Sequence, residues 1–66
     1  MTKSECLTDI QTRVKYHLHM VRSYQSAMED ADEKMKVYLG SLKMSHENML
    51  IDLNSIFNNV REMEEK

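Results

Sequence analysis

Tyr38-Leu39-Gly40-Ser41-Leu42-Lys43-Met44-Ser45-His46 contains the only glycine of a 66-residue chain that has no proline. On both sides of it an apolar residue returns at every seventh position. Leu7, Val14, Val21, Met28 and Met35 precede it, and Leu42, Met49, Ile56 and Met63 follow. Such a run in a chain that is 41% hydrophobic marks helices that bury one stripe against another helix. The second stripe position separates the two halves. Up to residue 38 it lies three places after each seventh residue, at Ile10, His17, Tyr24, Ala31 and Tyr38. Beyond Gly40 that position reads Ser45, Asp52 and Asn59, and the apolar companion moves to four places after, at His46, Leu53 and Val60. A straight coiled coil keeps its phase, so a shift beside the one strong breaker predicts a turn there.

The expected fold is all-α: one domain over residues 1–66, an antiparallel coiled-coil-like helical hairpin turning near Gly40 and assembling into a helical bundle. Its helices should run over about 4–39 and 45–63, with the turn at about 40–44. Thr2 and Glu5 have the spacing of a capping box for the first helix. Gly40 suits a left-handed C′ position, and Ser41 or Ser45 suits the N-cap of the second helix. Asp9–Arg13, Asp30–Lys34 and Asp32–Lys36 are acid-before-base pairs four apart, each worth about 0.2–0.5 kcal/mol in a helix. Two alternatives remain. One is a single long coiled-coil helix. The other is three helices with a further break at Ser26, where Ser26 and Glu29 again form a capping box.

A turn at Gly40 would leave the first helix overhanging the second by about 18 Å. Leu7, Ile10, Val14 and Leu18 would lie exposed on that overhang, continued by Val21. These residues, with Leu50, Ile51 and Phe57 on a second face of the second helix, are the expected partner or oligomer interface. Met28, Met35, Leu42, Met49, Leu53, Ile56 and Val60 are the expected intrachain core. Met20 and Met44 lie off the stripe and suit a second contact face. In this register His46 falls beside Met35, away from His17. Tyr24 and Tyr38 should pack along the stripe, and the acidic run Glu29–Glu33 should be a solvated helix face.

Composition narrows function. A net charge of −2 gives no electrostatic case for nucleic acid or an anionic membrane. The longest apolar run, Met49-Leu50-Ile51, is far short of a membrane span. Cys6 is the lone cysteine, so no intrachain disulfide can staple this small core, and a reduced, cytoplasmic setting is expected. No histidine pair has the spacing of a zinc motif. No nucleophile–base set or phosphate loop is present, so neither cofactor nor catalysis is expected. The expected function is non-enzymatic: protein binding through helix–helix packing, with itself or with a helical partner.

In size, acidity and helix–turn–helix layout the chain resembles the small co-chaperones of bacterial type III secretion needle subunits, a likeness of architecture and not of motif. It implies a hairpin that binds a larger chaperone, with the Leu7–Leu18 stripe as the contact. A small regulator or inhibitor that masks a partner protein, phage- or host-encoded, has the same architecture. So does a structural coiled-coil tether.

Overall fold

The structure is a computed structural model and describes residues 1–63. Two helices pack antiparallel: α1 (Lys3–Glu29) and α2 (Glu33–Glu62). The result is a rod of 54 × 14 × 13 Å. The all-helical hairpin expected from the heptad is therefore present, but its turn lies at residues 30–32 and Gly40 sits inside α2.

The turn forms where aspartate can close one helix and open the next. Asp30 ends α1 with φ −105° and ψ 7°, and the Ala31 N–H donates back to the Met28 carbonyl at 3.3 Å. Asp32 adopts extended backbone and its Oδ1 accepts from the Met35 N–H at 2.8 Å, capping α2. Among the described residues no backbone angle enters the left-handed region, so this turn has no need of glycine. The turn expected at Gly40 therefore forms at residues 30–32 instead. Gly40 continues the helix, and a Cβ built on it would meet only the Met28 Cε at 3.8 Å. Ser41 and Ser45 cap nothing; their hydroxyls donate to the carbonyls of Val37 and Ser41, each at 3.2 Å, one turn back in α2. Ser26 likewise lies within α1.

At the open end, Thr2 and Glu5 form the expected capping box, with the Glu5 N–H donating to Thr2 Oγ1 at 3.1 Å. Lys3 Nζ donates to the Met63 carbonyl at 2.6 Å and ties the two helices together there. Asp9 and Arg13 pair at 3.0 Å as expected. Asp30 and Asp32 lie in the turn, outside the helices, and do not form the expected pairings with Lys34 and Lys36; the Asp32 carboxylate caps α2 instead. Lys43 and Glu47 form a further pair at 3.9 Å.

Moving the turn changes which residues meet. The α1 side of the seam is Leu7, Ile10, Val14, His17, Val21, Tyr24 and Met28, spaced alternately three and four apart. Ile10, 7% exposed, is the sole buried hydrophobic residue among those described, and the others are half-buried. The α2 side is Leu39, Lys43, His46, Leu50, Leu53, Phe57 and Val60, all half-buried. The change of phase is thus real, but it occurs at the turn. Ala31 belongs to the old phase and Leu39 already to the new, while Tyr38 is left exposed.

Candidate functional site

The helices are nearly equal in length, so the expected overhang is absent. Ile10, Val14 and Val21, expected to face a partner, instead face α2. Leu50 and Phe57 move inward with them. Leu18 and Ile51 do remain exposed, Ile51 at 68%. The expected core divides the other way. Met28, Leu53 and Val60 join the seam, but Met35, Met49 and Ile56 are about half exposed and only Leu42 of that series is partly covered. The seventh-residue series therefore changes role at the turn. In α1 it is core, whereas in α2 it lies on one flank of the seam.

Among the described residues a groove lies on each flank of the seam, and the linings show which residues share a side. One groove is lined by Arg13, His17, Met49, Asp52 and Leu53. The other is lined by Gln11, Val14, Lys15, Asn54 and Phe57. Heptad spacing extends each lining along the rod. The side of Met49 carries Met35, Leu42 and Ile56 from α2 and Met63 at its C-cap, with Cys6, Met20 and Ala27 from α1. The side of Asn54 carries Glu33, Gly40, Glu47 and Arg61, with Ser4, Gln11, Leu18 and Gln25. One side of the hairpin is thus rich in methionine, with Arg13 and Asp52 among its lining, and the other is polar except for Leu18. Flexible thioethers suit a surface that adapts to another chain. On the α1 half of the apolar side the charge is Arg13, already paired with Asp9.

A further apolar row, Val37, Met44 and Ile51, lies on the outer edge of α2 towards the polar side. It is the most exposed of the apolar rows, with Val37 at 72%. α2 thus presents apolar residues on three sides, a pattern found in helices that are covered by neighbours.

Midway along the seam His17 and His46 meet, with Nδ1 atoms 2.7 Å apart. A turn at Gly40 would keep them apart; with the turn at residues 30–32 they fall at the same level. Tyr16 stands edge-on to both rings, with centroids 5.1 and 6.1 Å away, and Tyr24 lies 5.7 Å from His46. A contact this short needs one ring to donate and the other to accept, so the pair shares a single hydrogen. No third His, Cys, Asp or Glu among the described residues joins it to make a metal cluster. No described helix is long and apolar enough to cross a membrane.

Comparison with protein-family models, with curated proteins and with solved structures finds no match to this chain.

Proposed function

We propose that this protein is a small, non-enzymatic interaction module that binds another polypeptide through the apolar side of its hairpin. The observation that supports the reading is the row Met35, Leu42, Met49, Ile56 and Met63. It runs the length of α2, and four of its five residues are about half exposed or more. An apolar strip of this length, backed by Met20 and Cys6 on α1, exceeds the scattered exposure normal for a monomer. Its shape, straight and one helix-diameter wide, suits another helix laid alongside. The contact surface thereby shifts from Leu7–Leu18, where an overhang would have placed it, to Met35–Met63. Masking of a partner's helix and co-chaperone action both remain uses of such a surface.

The test is site-specific photo-crosslinking in the cells that make the protein. A photoreactive residue at Leu42 or Ile56 should give discrete covalent adducts. The same residue at Asn48, on the polar outer surface of α2, should give few. Equal yields at the three sites would sink the reading.

A further inference from the structure

The apolar side needs an occupant, and its own pattern indicates one. Read from Met35 to Met63, the row is Met, Leu, Met, Ile, Met. It reads almost the same in both directions about Met49. We propose that the occupant is a second copy of this chain, docked antiparallel about a two-fold axis that passes beside Met49, so that two hairpins form a four-helix bundle. This rests on the apolar side being an interaction surface, as proposed above.

In that arrangement Met49 meets its own counterpart, Leu42 meets Ile56, and Met35 meets Met63. Each branched residue faces a branched residue and each thioether a thioether, the self-complementarity that a two-fold interface requires. The α1 half obeys the same axis. Met20 lies nearly level with Cys6 of the other copy, and Arg13 comes to the axis with its charge already held by Asp9 at 3.0 Å.

Surface area is compatible with this. The chain, a rod of 54 × 14 × 13 Å, exposes 5357 Å², about 1,000 Å² more than a compact chain of its mass, so it has the roughly 800 Å² to give that each partner contributes to a stable interface.

The experiment uses the full chain with Cys6→Ser, into which single cysteines are introduced and treated with a short bis-maleimide. Sedimentation equilibrium at micromolar concentration should give twice the chain mass. Met49→Cys should link to itself. Leu42→Cys should link to Ile56→Cys when the two variants are mixed, but hardly to itself, because two copies of residue 42 lie about 21 Å apart along the bundle. Ile51→Cys, on the outer edge, should not link. In the unsubstituted chain oxidation should leave Cys6 unpaired, since the two sulfurs are separated by about 24 Å along the axis.

Three results would overturn the proposal. A helical monomer at high concentration would show that the occupant is not a second copy; photo-adducts with a different protein would then still uphold the broader reading. A dimer in which Leu42→Cys links to itself would show a parallel pairing. A dimer linked through Ile51→Cys would place the contact on the other row. Should Met49→Cys fail to fold, the Leu42→Cys and Ile56→Cys mixture carries the same information.

Discussion

α1 and α2 carry one heptad series between them and use it differently. Along α1, Leu7, Val14, Val21 and Met28 close the hairpin and the remaining surface is largely polar. Along α2 a different set, from Leu39 to Val60, closes the hairpin, which frees Met35, Leu42, Met49, Ile56 and Met63 for an outer face. An apolar period therefore marks one stripe of a helix, but not the use that stripe is put to. In a hairpin with almost no fully buried residue, the same spacing serves the fold in one arm and the surface in the other.

The strongest test of that contrast compares two isoleucines. Ile10→Ala should cost about 2–4 kcal/mol, enough to unfold so small a chain. Ile56→Ala should change stability by less than about 0.5 kcal/mol when melts are followed by circular dichroism at a dilution where copies do not associate. Equal losses would mean that both arms use the series in the same way.

The midpoint of the seam sharpens the contrast through a pair. His17→Leu alone should cost about 0.5–1.5 kcal/mol, the worth of one hydrogen bond, because it leaves the His46 Nδ1 without the partner it meets at 2.7 Å. Replacing both rings, His17→Leu with His46→Leu, should recover part of that loss in chemical denaturation. A double-mutant cycle with no coupling between the two substitutions would show that the shared hydrogen contributes nothing.

The caps of the two helices should differ as well. Asp32→Ala, at the turn, should destabilise the hairpin by about 1 kcal/mol. Thr2→Ala should cost less, because it acts at an end that can fray. Hydrogen exchange at Met35 and Glu5, whose N–H groups receive these caps, would separate the two effects. The smallest change should be a gain. Gly40→Ala should add somewhat under about 1 kcal/mol of helix propensity, since its new methyl group meets Met28 at ordinary van der Waals distance. A loss would mean that α1 and α2 approach more closely at that level than the structure shows.

These contrasts also show what could be read from sequence. The seven-residue series, the phase change and the Thr2–Glu5 capping box were legible because each is a local pattern with a direct physical cause. The position of the turn was not: glycine is the usual marker of a break, and this turn does not use it. Asp30 and Asp32 form it with ordinary backbone angles, a signal that read equally well as a charged helix face. That single displacement moved Ile10 and Phe57 inward and Met49 outward, and it brought His17 and His46 together. Leu39 held the corrective clue: it already belongs to the second phase, before Gly40 is reached.

The glycine-free turn carries a last consequence. Because residues 30–32 adopt angles open to any amino acid, straightening them into continuous helix breaks little beyond the Asp32 cap. The chain would then run as one rod of about 90 Å. Two such rods could exchange arms, each α1 packing on the α2 of the other, and every seam contact would survive the exchange. Domain swapping is a low-cost route to dimers wherever a hinge can open in this way. Tethering holds the two arms at high effective concentration and favours the closed form in dilute solution; only crowding of chains would offset that advantage.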